Sequence, residues 1–114
     1  RGGSMTAINT TRSTVLADNI FVAESWSDKT KGLLGSDEPG AVFFRTRWGI
    51  HTFGMKFPID CLVLDDKLEV RAIRENLKPN RFFFWWPGYE NVLELPAGTV
   101  SNTRTEAGDI FQMR

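Results

Sequence analysis

The chain has very few of the residues that most often hold metals or form covalent crosslinks. It contains one cysteine, Cys61, and one histidine, His51. A single cysteine cannot form an intramolecular disulfide, which favours a reducing compartment. One histidine and one cysteine cannot assemble a usual zinc site. We therefore predict that the protein holds no metal and no cofactor. Cys61 is followed by three apolar residues, and we predict that it is buried and structural.

The chain also lacks a net charge and lacks long apolar runs. Fourteen Lys and Arg balance fourteen Asp and Glu, so no field of the whole molecule attracts nucleic acid or an anionic membrane. The longest apolar runs have only a few residues, far short of the ~20 that a transmembrane helix needs, and no signal segment opens the chain. We predict a cytoplasmic protein that does not bind membranes. Any partner that is attracted by charge is expected to bind to a local charged patch.

Length and composition predict one globular domain over residues 5–114. A chain of 114 residues normally forms one hydrophobic core. Apolar residues make up 41% and charged residues 25%, which excludes a disordered body. The first four residues, RGGS, resemble an expression scar before Met5.

Short apolar runs bounded by turn residues predict about seven short strands. The clearest pattern is a hairpin formed by residues 59–64 and 68–73. Residues 15–17 and 20–23 flank Asp18 and Asn19, which predicts a hairpin or a bent strand. Further strands are expected at 41–44, 92–95 and 110–111, with Gly98 and Gly108 in turns.

Residues 25–35 are the one predicted helix, because their apolar side chains share a helical face and Gly35 is a suitable C-terminal stop. The glycines match neither a phosphate-binding loop nor a dinucleotide-binding motif. The fold class predicted from these elements is α+β and mostly β: a small, partly open β-barrel or strongly curved sheet of about seven short strands with one short helix.

Four motifs occur in an order that is typical of one protein family. They are KGLLG at residues 31–35, IHTFGMKFPID at 50–60, VLELPAG at 92–98 and GD at 108–109. Together they resemble the bacterial and archaeal family called domain of unknown function 192, over about residues 15–111. The family usually has a bulky residue where this chain has Gly54, and asparagine where it has Phe57. The resemblance implies a compact β-rich fold with one helix, and no agreed activity.

Residues 45–60 are both basic and aromatic, with no carboxylate before Asp60. Pro58 cannot donate to a strand ladder, so residues 55–58 are expected at a strand entry or edge with accessible side chains. Thr52 and Gly54 are expected to leave open space beside His51. We predict a site for a polar or anionic group, formed by His51, Met55, Lys56, Asp60 and Arg81.

In this site Lys56 and His51 hold the ligand and Asp60 orients one of them. The alternative is structural: a hydrogen-bonding histidine, and an ordinary surface pair of Lys56 and Asp60.

Residues 81–89 contain six aromatic side chains in nine positions. In an extended chain, alternate side chains face opposite sides, so a core can take only about half of them. Exposed aromatic side chains often mark an interface, and the alternative is a loop that wraps over one end of the core. The candidate interface residues are Trp48, Phe83, Trp85, Trp86 and Tyr89.

The function predicted from these features is a non-enzymatic binding or accessory domain that recognises a polar or anionic ligand or a protein partner. One alternative is a small enzyme that acts on a polar metabolite with His51 or Asp60 as acid or base. The other is a single-stranded nucleic-acid binder that uses Arg45, Arg47, Lys56 and the aromatic residues, which the neutral net charge disfavours.

Overall fold

The computed structural model describes residues 4–23 and 40–114. The predicted helix at 25–35 lies outside these residues. The described part contains nine strands and one short helix, and it confirms the mostly β fold class. The elements are β1 (Ser4–Asn9), β2 (Thr14–Val22), β3 (Val42–Arg45), β4 (Gly49–His51), β5 (Ile59–Leu64), β6 (Val70–Leu77), β7 (Phe82–Phe84), β8 (Asn91–Pro96), α1 (Thr99–Thr103) and β9 (Phe111–Met113).

Seven of the strands form one strongly curled sheet, in the order β6-β5-β8-β3-β2-β1-β9. All neighbours in it are antiparallel except β2 and β3, which are parallel. The two ends of the curl meet where residues 68–70 face residues 108–111. Val70 N donates to Asp109 O at 2.8 Å and Phe111 N to Leu68 O at 2.9 Å. The sheet is therefore a half-barrel that closes locally.

The remaining strands, β4 and β7, form a separate antiparallel ribbon in which Gly49 pairs with Phe84 and His51 with Phe82. Neither strand was predicted from the sequence, because each has only three residues and no apolar alternation of useful length. This ribbon carries most of the candidate site.

The half-barrel has an apolar core on each of its two faces. Strand β5 is buried along its whole length, so its successive side chains enter opposite cores, as in a strand covered on both sides. We call the core that includes Ile50 and Phe83 of the ribbon the outer core, and Cys61 and Val63 belong to it. The core on the other face of the sheet is the inner core, and Leu62 belongs to it. The predicted burial of Cys61 is confirmed, since its exposed fraction is 0%.

The region around Asp18 and Asn19 is a bent strand and not a hairpin. Both residues lie within β2, and Asn19 has a left-handed φ of 54°, which asparagine tolerates better than most residues. The partner of β2 in a hairpin is β1, which the sequence did not reveal. Gly98 and Gly108 have φ of 96° and 95°, and these values confirm the predicted turns.

A buried polar cluster fixes the C-terminal strand to β1. The Asn9 side chain donates to Asp109 Oδ2 at 2.9 Å, and the Glu106 N–H and Arg12 Nε donate to the same oxygen. Burial raises the pKa of Asp109, but these hydrogen bonds and the Arg12 charge outweigh it and hold the pKa below its usual range. The cluster stabilises the closure of the half-barrel only while Asp109 is ionised.

Helix α1 has five residues, and Gly98 precedes it without a capping side chain. Its cap comes from β5: Asp60 Oδ2 accepts the N–H groups of Gly98 at 3.1 Å and Val100 at 2.9 Å. In the part of the chain that the structure describes, no helix is long and apolar enough to cross a membrane.

Gly108→Ala tests the turn that brings the ends of the half-barrel together. An added Cβ at Gly108 would meet no atom within 4 Å, but its φ of 95° is strained for alanine. We expect the free energy of unfolding to fall by about 1–2 kcal/mol, measured by urea denaturation. Gly40→Ala is the matched control: its Cβ also has open space, and its φ lies outside the strained range. Equal stabilities of the two variants would contradict the turn assignment.

Candidate functional site

The β4–β7 ribbon has one face in the outer core and one face in solvent. Ile50 and Phe83 point inward, with exposed fractions of 4% and 8%, while Phe82 and Phe84 on either side of Phe83 are 54% and 60% exposed. Two backbone hydrogen bonds extend the ribbon at its ends, from Thr52 N to Arg81 O at 2.9 Å and from Trp85 N to Trp48 O at 3.0 Å. Because side chains alternate along a strand and Phe83 is buried, Phe82 and Phe84 are exposed to solvent.

Thr52 ties together the two loops that flank the ribbon. Its hydroxyl donates to Lys78 O at 2.6 Å and accepts the Arg81 N–H at 2.9 Å. Its carbonyl accepts the N–H groups of Asn80 and Met55. Thr52 is buried, because these loops converge on its side chain.

Four exposed or half-exposed rings lie side by side on the solvent face, and we call them the aromatic row: His51, Phe53, Phe82 and Phe84. The ring centroids of Phe53 and Phe82 are 5.0 Å apart in an edge-to-face arrangement. Those of Phe82 and Phe84 are 5.6 Å apart and nearly parallel. His51 lies 5.0 Å from Phe53. Ring contacts of this kind hold the row in a defined geometry.

The aromatic row ends at a cleft of about 210 Å³ beside Trp48, which we call the Trp48 cleft. Gly49 leaves space for the Phe84 ring, because a Cβ at this position would lie 2.5 Å from Cδ1 of Phe84. Trp48 also borders a second cleft, with Arg47, Pro87, Gly88 and Glu90. The Trp48 cleft itself is lined by Thr46, Trp48, Gly49, Ile50, His51, Phe82 and Phe84.

Basic residues surround the ribbon in the sequence. Residues 41–59 and 76–89 contain five basic residues and no acidic one, although the whole chain is neutral. Arg45 is ion-paired with Glu90 at 3.1 Å. We call the other four the basic flanks, and all four are exposed: Arg47, Lys56, Lys78 and Arg81.

The structure divides the five predicted ligand-binding residues between the surface and the interior. His51 is half-buried at the aromatic row, and Lys56 and Arg81 are exposed. Met55 belongs to the outer core. Asp60 is buried, and its carboxylate accepts the backbone N–H groups of three residues (Asn76, Gly98 and Val100). Met55 and Asp60 therefore do not belong to the candidate site, because packing and backbone hydrogen bonds occupy them.

The predicted interface residues divide in the same way. Trp48 and Trp86 are 57% and 79% exposed. Phe83 is buried, and Trp85 and Tyr89 pack against the outer core, where Trp85 Nε1 donates to Tyr89 O at 2.7 Å. The other exposed aromatic members of the run are Phe82 and Phe84, which the sequence analysis did not select. The sequence shows that Phe82 and Phe84 lie on the side of the strand opposite to Phe83. It does not show which of the two sides faces the core.

A third cleft, of about 530 Å³, lies between the β5–β6 turn and residues 88–91. Arg71 on its wall is paired within the protein: Nε contacts Asp65 Oδ2 at 3.0 Å, and the guanidinium lies 5.5 Å from the Tyr89 ring. Burial raises the pKa of Asp65, but hydrogen bonds from Glu69, Arg71 and Lys67 outweigh it and lower the pKa. These groups stabilise a turn, so the aromatic row with its basic flanks is the better candidate site.

No group of three metal-ligating side chains occurs within residues 4–23 and 40–114.

The sequence of the chain matches one family of known proteins. The sequence profile of the family domain of unknown function 192, described as uncharacterised ACR, matches residues 7–113. The chain belongs to this family. The match confirms the resemblance seen in the sequence motifs.

Two crystal structures share the fold of this family member. One, from Sinorhizobium meliloti 1021, is provisionally named a transcription regulator; it has a TM-score of 0.80 and 21% identity, and the match covers 96% of this chain and 92% of that one. The other, a protein of unknown function from Novosphingobium aromaticivorans DSM 12444, has a TM-score of 0.75 and 17% identity, with 96% and 83% covered. No curated protein matches the chain.

Thr52→Val tests whether the Thr52 hydroxyl holds the ribbon loops together. Valine keeps the shape but leaves the Arg81 N–H and the Lys78 carbonyl without this partner. We expect the free energy of unfolding to fall by about 2–3 kcal/mol, and amide hydrogen exchange at Arg81 to accelerate. Thr52→Ser keeps the hydroxyl and loses one methyl group, so a loss of about 1 kcal/mol is expected. A valine variant as stable as the serine variant would refute this role.

Proposed function

We propose that this domain is a non-enzymatic binding module that recognises an anionic partner through the aromatic row and the basic flanks. The observation that carries the proposal is the exposure of adjacent aromatic rings on one face of a ribbon whose other face is fixed in the core. Contiguous exposed aromatic side chains are unusual on soluble domains without a partner, and they concentrate binding energy at interfaces.

The charge distribution supports an anionic partner. The segments around the ribbon, residues 41–59 and 76–89, carry five basic residues and no acidic one. A cationic region on a chain that is neutral as a whole attracts anions locally and orients them as they approach.

The geometry favours binding over catalysis. The enzymatic alternative needs His51 or Asp60 as acid or base, and both oxygens of Asp60 accept backbone N–H groups. The fold neighbours do not alter this choice, since identities of 21% and 17% support a shared fold alone, and fold does not imply function.

Retention on immobilised heparin, a polyanion, tests the proposal. We expect the protein to bind and to elute with salt, because the basic flanks form ionic contacts that salt screens. The double variant Arg47→Gln/Arg81→Gln should elute at clearly lower salt. The charge-matched control Lys67→Gln/Arg114→Gln removes two cations outside the basic flanks and should elute as the parent does. Failure of the parent to bind, or equal shifts for both double variants, would reject the proposed function.

A further inference from the structure

We infer that the anionic partner is a single-stranded nucleic acid, whose bases stack on the aromatic row and enter the Trp48 cleft while its phosphates contact the basic flanks. This inference rests on the proposed function and names the class of partner. It follows from three features of the site: the spacing of the rings, the polar groups in the Trp48 cleft, and the basic residues that adjoin the ring-bearing residues in the sequence.

The rings form a platform for planar groups. Phe53, Phe82 and Phe84 follow one another with centroid distances of 5.0 and 5.6 Å, and the aromatic walls of the Trp48 cleft continue the series. Every nucleobase has a flat π-face, and base–aromatic stacking contributes about 1–3 kcal/mol per base without requiring a particular sequence. A platform of this length accommodates about two or three bases, the number that aromatic side chains stack on the sheet of a common RNA-binding domain.

The lining of the Trp48 cleft favours a base over a lipid chain or an aliphatic side chain. Nδ1 of His51 accepts the Phe53 N–H at 3.3 Å, which leaves Nε2 as the ring nitrogen that can carry the proton. Thr46 also lines this cleft and has a hydroxyl. Base edges supply ring-nitrogen and carbonyl acceptors for such groups, whereas a hydrocarbon chain has no hydrogen-bond acceptor.

Basic residues adjoin the ring-bearing residues along the chain. In the sequence, Arg47 adjoins Trp48, Arg81 adjoins Phe82, and Lys56 follows Phe53 by three residues. The Thr52 hydrogen bonds bring the Lys78 and Arg81 backbone to the end of β4. A nucleotide chain repeats one planar base and one negative charge per unit, which matches this repetition of ring and cation. The neutral charge of the whole chain does not oppose binding, because the segments that form the site, residues 41–59 and 76–89, carry five basic residues and no acidic one.

The platform requires bases whose faces are open. In a duplex each base is stacked between its neighbours, so exposed rings on a ribbon can contact only unstacked bases of a single strand. We therefore expect a preference for single strands over duplexes of the same sequence.

Fluorescence anisotropy with a fluorescein-labelled deoxythymidine 12-mer tests the inference, and a uridine 12-mer distinguishes DNA from RNA. We expect binding that quenches tryptophan fluorescence, because Trp48 borders the Trp48 cleft. The affinity should fall with salt, and Arg47→Gln or Arg81→Gln should each reduce the slope of log K against log salt by about 0.7.

Variants of the platform separate stacking from charge. Phe84→Ala should weaken binding about 5- to 150-fold, the range measured for loss of one stacking ring. Gly49→Ala leaves the composition of the surface unchanged but displaces the Phe84 ring, and it should weaken binding as well. The controls are Phe21→Ala, an exposed phenylalanine on β2, and Gly40→Ala; both should bind as the parent does. Urea denaturation of each variant establishes that it is folded.

Three results would overturn the inference: equal affinity for the duplex formed with a deoxyadenosine 12-mer, equal affinity for polyglutamate, which has charge but no planar rings, or binding to phosphatidylglycerol vesicles without binding to either 12-mer. Each is compatible with retention on heparin, so the proposed function would stand. Absence of binding to all these polyanions and to heparin would remove both proposals.

Discussion

The buried hydroxyl of Thr52 is the interaction on which the candidate binding surface depends. It donates to Lys78 O and accepts the N–H of Arg81, and so it fixes the entry to β7 against the exit of β4. With these loops joined, strand pairing places Phe82 opposite His51 and Phe84 opposite Gly49. Buried hydrogen bonds of this kind are costly to break, because each group would lose its partner without gaining water.

The ribbon can hold aromatic rings in water because the sheet beneath it is rigid. Strand β5 is buried along its length, and β8 is buried over its central four residues, so neither can shift to cover the rings. Asp60 adds to this rigidity by joining β5 to the start of helix α1 and to Asn76 at the end of β6. Burial of Ile50 and Phe83 fixes one face of the ribbon, and the pleat then exposes the other.

Sequence patterns predicted the elements whose signal is local. The β5–β6 hairpin, the strand at β8 and the turns at Gly98 and Gly108 follow from apolar runs and glycine positions. Helix α1 was not predictable, because its cap, Asp60, lies 38 and 40 residues from the amides that it binds. The same contacts explain why Asp60 resembled a site residue: a lone carboxylate in a basic segment can serve a ligand or a distant backbone.

The residue types of the candidate site were predictable from the sequence. Which of its aromatic side chains face solvent was not. The sequence showed that half of the aromatic run must be exposed, but Phe83 was selected where Phe82 and Phe84 face solvent, since the choice depends on the ribbon's docking against β5 and β8. Thr52 has an ordinary loop context in the sequence, and only the approach of residues 78–81 makes its hydroxyl important.

The central claim is that the free protein presents a fixed and exposed aromatic row. Nuclear magnetic resonance with selectively labelled phenylalanine, in the presence of a soluble paramagnetic relaxation agent, tests it most directly. The account predicts cross-relaxation between the rings of Phe53, Phe82 and Phe84, with strong paramagnetic relaxation at Phe82 and Phe84 and weak relaxation at Phe83. Equal relaxation of the three adjacent rings 82–84, or no cross-relaxation within the row, would contradict the account.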